Sequence, residues 1–151
     1  MGDVKRWVTL SAAVATMALI AAPAVASSTV KPKSGTYTGS LAAPRTEYIV
    51  SLRVAGGKLT KAHLSNFPIY CEGGGPPIPI AFPGAGVSKT GKFTTKSEYK
   101  IEVGPLKGKI GDRFVLSGTF TSQGTVSGKL KTVSVDVPKC GGTSAFSAAF
   151  G

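Results

Sequence analysis

Histidine, cysteine and acidic side chains are all scarce in this chain of 151 residues, which holds one His, two Cys and seven Asp plus Glu. Each scarcity removes a class of chemistry. A structural or catalytic zinc site needs three or four ligands, and His63 with two distant thiols does not supply them, so no metal and no other cofactor is expected. A Ser-His-Asp triad can be drawn only through His63, and no serine sits in a nucleophile-elbow context. Gly73-Gly74-Gly75 lacks the Lys-Ser/Thr and the helix of a phosphate-binding loop. Tryptophan and methionine are confined to the start of the chain, at Met1, Trp7 and Met17, so a core built from the remainder must be aliphatic, Phe and Tyr. Only one long apolar run exists, Trp7 to Ala22, and it falls short of the roughly twenty residues that span a bilayer.

That run has a meaning of its own. Lys5 and Arg6 precede it and Ala24-Val25-Ala26 follows it, the charged start, apolar middle and small-x-small end of a secretory signal peptide. Cleavage after Ala26 is expected, with a secreted or envelope location. No Cys follows Ala26 to carry a lipid, and no apolar anchor closes the chain, so a soluble product without a transmembrane anchor is expected. Residues 1–26 are then the leader, 27–34 a flexible polar arm, and 35–151 one domain. Removing the leader takes Lys5, Arg6 and Asp3 away, leaving 16 basic and 6 acidic residues and a formal charge of +10. In an exported domain the two cysteines, Cys71 and Cys140, have one possible pairing. A loop of about seventy residues closed in this way is worth about 4 kcal/mol by the chain-entropy argument.

Periodicity points to strands throughout. Tyr48, Val50, Leu52 and Val54 alternate with Glu47, Ser51 and Arg53, and Tyr99, Ile101 and Val103 with Glu98, Lys100 and Glu102. Phe114, Leu116 and Phe120 alternate with Arg113, Ser117 and Thr119; Val126 and Leu130 alternate with Ser127, Lys129 and Lys131. Phe146, Ala148 and Phe150 share a closing strand face, and Leu59, Ala62 and Leu64 belong to a strand after Gly56-Gly57. That glycine pair and Ser122-Gln123-Gly124 are hairpin connections, and a further short strand is expected at Leu106–Ile110. The expected fold is all-β: an antiparallel meander of about eight to ten short strands forming a β-sandwich or a small closed barrel. An outer-membrane barrel is disfavoured, because one face of most strands is Lys, Ser and Thr where lipid-facing rows are apolar.

Several short motifs carry a resemblance: Gly35-Thr36-Tyr37-Thr38-Gly39, Gly91-Lys92-Phe93, and Leu116-Ser117-Gly118-Thr119-Phe120 leading into Gly124-Thr125-Val126-Ser127-Gly128, with Cys71, Cys140 and Phe146. Together they resemble small secreted bacterial β-rich proteins of unassigned function, of the kind found in actinobacteria. The resemblance spans most of residues 35–150. It implies a compact β fold with a disulfide and brings no catalytic residues.

Two features bear on function. The first is charge. Arg53, Lys61, Lys129 and Lys131 form one basic surface if the hairpins Leu52–Leu64 and Phe114–Lys131 bring their outward faces together. Such a surface attracts anionic wall polymers, acidic polysaccharides or lipid headgroups, with an affinity that salt weakens. Lysines on exposed strands that serve only solubility and edge protection are the simpler alternative. Nucleic acid fits an exported chain poorly. The second feature is Cys71–Gly84, with four prolines and four glycines in fourteen residues, which belongs at a sheet edge or in a loop. Glu72, Pro76, Pro77, Ile78 and Phe82 are its candidate contacts to a partner; a surface excursion pinned by Ile78, Ile80 and Phe82 is the alternative. The functional expectation is a secreted, non-enzymatic envelope or extracellular binding protein. The alternatives are a small hydrolase relying on Glu72, Glu98 and His63, and an inhibitor or structural protein that engages an extracellular protein through the Pro/Gly-rich loop.

Overall fold

The computed structural model describes residues 29–43, 45–68, 77–102, 104–135 and 141–151. Eight strands follow one another: β1 Gly35–Leu41, β2 Ile49–Ala55, β3 Lys58–Pro68, β4 Pro77–Phe82, β5 Lys92–Lys100, β6 Ile110–Phe120, β7 Thr125–Ser134 and β8 Gly142–Phe150. All pairs are antiparallel, in the single order β4-β3-β2-β1-β8-β7-β6-β5. Pairing of the first strand with the last curls the meander into a nearly closed barrel, and the remaining gap lies between β4 and β5. Barrel, not sandwich, is the outcome. No strand forms at Leu106–Ile110 as a unit: residues 105–108 are turn, with the Lys107 amide donating to the Gly104 carbonyl at 3.2 Å, and Ile110 opens β6. The local Gly-Pro and Lys-Gly chemistry makes this stretch the β5–β6 hairpin turn. Val103, expected in the Tyr99 strand, lies outside the described residues.

Alternation supplies most of the core: Val50, Leu52, Val54, Phe114, Leu116, Phe120, Val126, Leu130, Phe146 and Ala148 are all buried. Strict alternation fails on β3, where Leu59 is odd and Ala62 and Leu64 are even. Two irregularities reconcile them. Arg53 pairs Lys61 but Val54 pairs Leu59, so Thr60 is an extra residue, its Oγ1 donating to the Arg53 carbonyl at 3.0 Å. Between Leu64 and Phe67 the register shifts again, with Asn66 at φ 60°, a left-handed conformation that Asn tolerates well. The second bulge turns Phe67 inward, where its ring meets Phe114 edge-on at 5.3 Å and Tyr48 at 5.7 Å. At the other end Tyr37, 0% exposed, packs edge-on against Phe120 at 5.1 Å, and its hydroxyl donates to the Lys33 carbonyl at 3.1 Å.

Gly39 on β1 is closely approached by β8: a Cβ there would overlap the Ser147 carbonyl oxygen. Glycine at such a point lets a small barrel coil tightly. The arm expected over 27–34 is held where it is described. The Val30 amide donates to the Lys89 carbonyl at 2.8 Å, Val30 packs against the core, and Pro32 is buried. An apolar residue at the open end of a barrel has core to cover, which outweighs the polarity of its neighbours.

Candidate functional site

The gap between β4 and β5 is a consequence of proline placement. The Ala81 carbonyl accepts from Ser97 Oγ at 2.6 Å and the Pro83 carbonyl from Thr95 Oγ1 at 2.8 Å, so odd-numbered residues of this segment aim their backbone groups at β5. Pro77, Pro79 and Pro83 occupy that same parity, and of the odd positions from 77 to 83 only Ala81 keeps an amide proton. The bonds that β4 would donate to a full ladder are lost, and two side-chain hydroxyls of β5 bridge the strands to its carbonyls. Pro77 is exposed, Ile78 half-buried and Phe82 only 2% exposed. Phe82 is therefore a core residue and not a contact offered by a loop. Strand alternation, with Ile80 and Phe82 on the inner face, puts it there. Glu72 and Pro76, like Cys71 and Cys140, lie outside the described residues.

The four basic residues grouped from sequence fall into two places. Arg53 faces Lys61 directly across β2 and β3. Lys129 and Lys131 stand two residues apart on β7. Strands β1 and β8 lie between these pairs. Arg53 is level with Thr36, whose carbonyl accepts from the Gly151 amide, whereas Lys129 is level with Ala145. The offset is about 20 Å along the strands, in addition to three strand spacings around the barrel. One continuous surface across all four does not form, because β1 and β8 stand between the β2–β3 hairpin and the β6–β7 hairpin in this sheet.

The neighbours of Lys129 and Lys131 come from β5 and β6 instead. Register places Lys96, Val115 and Lys131 in one row, Thr94, Ser117 and Lys129 in the next, and Lys92, Thr119 and Ser127 in the third. Lys92, Lys96, Lys129 and Lys131 are exposed. Lys129 and Lys131 are about 7 Å apart along the strand, and Lys131 and Lys96 about 10 Å apart across two spacings. Arg113 on this face is paired with Glu98, Nε to Oε1 at 3.2 Å, and among the described residues no acid pairs with the four lysines. Like charges at this spacing repel by about half a kcal/mol per pair in water, a cost that an anion laid along the face would relieve. Lys92-Phe93-Thr94-Thr95-Lys96 alternates outward lysine and threonine with inward Phe93 and Thr95, the sequence signal that places Lys92 and Lys96 on this face and extends the strand N-terminal of Tyr99.

His63 and Glu98 are not brought together. His63 is half-buried on β3, level with Ser51 and Ala81; Glu98 is on β5 beside Arg113, with β4 and the gap between them. Glu98 and Glu102 share an open cleft of about 680 Å³ with Tyr99, Lys100, Ile101, Lys107 and Gly108. At the end of the barrel where β1, β3, β5 and β7 finish, its upper end, Arg45 Nη1 donates to Ser144 Oγ at 3.4 Å, and burial pushes the Tyr48 phenol above its ordinary range, helped by neighbouring Glu47 and opposed by Arg45. Among the described residues no group of three or more His, Cys, Asp and Glu is placed to hold a metal ion. Comparison of the chain with family models, curated proteins and solved structures finds no match.

Proposed function

We infer that this is an exported, non-enzymatic binding protein of the cell envelope that holds anionic wall polymers against the outer face of β5, β6 and β7. The observation that carries the reading is the cluster of Lys92, Lys96, Lys129 and Lys131, exposed on a hydroxyl-lined sheet face with no acidic partner among the described residues. Polyanion binding at such a face is electrostatic and non-directional, with Ser117, Ser127, Thr94 and Thr119 as hydrogen-bonding partners for phosphate, carboxylate or sugar oxygens. The leader supports the location. A Cys71–Cys140 disulfide belongs to the same proposal and is supported by the topology, since the connections after β3 and after β7 both leave the same end of the barrel.

Co-sedimentation of residues 27–151 with isolated cell walls tests the reading, because every described strand and core contact lies within that span. Bound protein is expected to fall as salt rises from about 50 to 500 mM, as screening lengths shrink below the lysine spacing. Lys96→Glu/Lys129→Glu/Lys131→Glu abolishes binding, while Arg53→Glu/Lys61→Glu on the far side leaves most of it. Equal loss in both variants would show net charge alone at work, and absence of binding at low salt would remove the proposal.

A further inference from the structure

Among the described residues, the large apolar side chains left exposed include Leu106, Val133 and Val135, at 40%, 42% and 43%. All three belong to the upper end of the β5–β6–β7 region. Leu106 stands on the β5–β6 turn, where the Lys109 amide donates to its carbonyl at 3.0 Å. Val133 is level with Arg113, and the Val135 amide donates to the Gly111 carbonyl at 2.8 Å. Around them Lys100, Lys107 and Lys109 are exposed, against Glu102 as the acid of the same turn.

This composition decides the kind of partner. Protein interfaces deplete lysine at their centres and favour aromatic and arginine anchors in pockets. Here aliphatic tips protrude through a fringe of lysines. Lysine stems lie along apolar surface while their ammonium groups stay wet, which suits the boundary between acyl chains and headgroups. Anionic headgroups add an attraction for each lysine near the surface.

We propose that the β5–β6 hairpin end docks on an anionic lipid surface, with Leu106 entering the acyl boundary and Lys100, Lys107 and Lys109 pairing with headgroup phosphates. Val133 and Val135 then lie against the headgroup layer. The inference goes beyond the polymer reading and rests on different residues, so either can fail alone. Its test is flotation of residues 27–151 with vesicles of phosphatidylcholine alone and of phosphatidylcholine mixed with phosphatidylglycerol. Binding is expected to the mixed vesicles only. Leu106→Asp is expected to weaken it about tenfold, by removing the inserted apolar group and adding a like charge to the surface. The same variant keeps its cell-wall binding and its circular dichroism spectrum, since Leu106 is an exposed turn residue outside the described core cluster. Lys107→Glu/Lys109→Glu weakens vesicle binding as well. Unchanged vesicle binding by Leu106→Asp, equal binding to neutral vesicles, or no flotation at all would each overturn the lipid proposal. Wall binding that persists alongside any of these leaves the polymer reading standing; loss of wall binding alone leaves the lipid reading standing.

Discussion

Tyr37 joins the lower aromatic cluster to the N-terminal arm, and its ionisation makes that link measurable. Burial raises its pKa, and its hydroxyl donates to the Lys33 carbonyl in the neutral form. The unfolded phenol ionises near pH 10, the folded one only above that. Stability tied to the neutral phenol is therefore complete below about pH 10 and is lost as pH rises toward the folded value. Tyr37→Phe is expected to lose about 1 kcal/mol at neutral pH with its hydrogen bond and to show a shallower alkaline decline in the urea midpoint. Equal alkaline slopes would place the titration elsewhere. Gly39 gives a sharper contrast. Gly39→Ala forces a methyl into the Ser147 carbonyl and should cost about 3 kcal/mol. Gly86→Ala, with open space and no left-handed backbone, should stay within about 0.5 kcal/mol in the same urea titration.

Among the elements, β4 is the one whose sequence dictates an unusual role. Prolines at alternate positions leave it bonded to β3 on one side and nearly donor-free on the other, which blunts an edge that would otherwise invite pairing with another chain. The closure opposite β5 rests on Thr95 and Ser97. Thr95→Val and Ser97→Ala are each expected to cost about 1 kcal/mol. Hydrogen exchange should then accelerate at Ile78, Ile80 and Phe82 while β7 stays protected; uniform acceleration would mean that the gap is not a separate opening unit. The edge character of the Pro-rich segment was legible, because a missing amide proton is a property of the residue itself. The bulges on β3 were not. Leu59, Ala62, Leu64 and Phe67 show the need for a register change, yet the sites of the extra residues depend on what β2 and β4 present opposite them.

For the whole molecule, one barrel with apolar interior and Lys, Ser and Thr outside reverses the polarity of a membrane barrel and leaves charge as its outward signal. The disulfide proposed across one end belongs to this scale too. Peptide mapping of exported protein should recover Cys71 linked to Cys140, and Cys71→Ser/Cys140→Ser should lower stability by about 4 kcal/mol. Two free thiols in exported material would remove the bridge. The basic face shows how assembly redistributes residues: Lys129 and Lys131 gain Lys96 and Lys92 as neighbours and are parted from Arg53 and Lys61.

By itself the sequence determined the all-β class, the inward residues of β2, β6, β7 and β8, the turn glycines, the edge nature of Pro77–Pro83 and the basic charge. Each follows from alternation, backbone freedom, a missing donor or a count, which are local properties of the chain. Barrel closure, the docking of Val30 and Pro32, the inward aim of Phe67 and the membership of the lysine face were decided only in three dimensions. A strand's local pattern names its inner and outer faces but not its register; the hairpin register across β5, β6 and β7 sets which lysines share a surface, and the pairing of β1 with β8 parts them from Arg53 and Lys61.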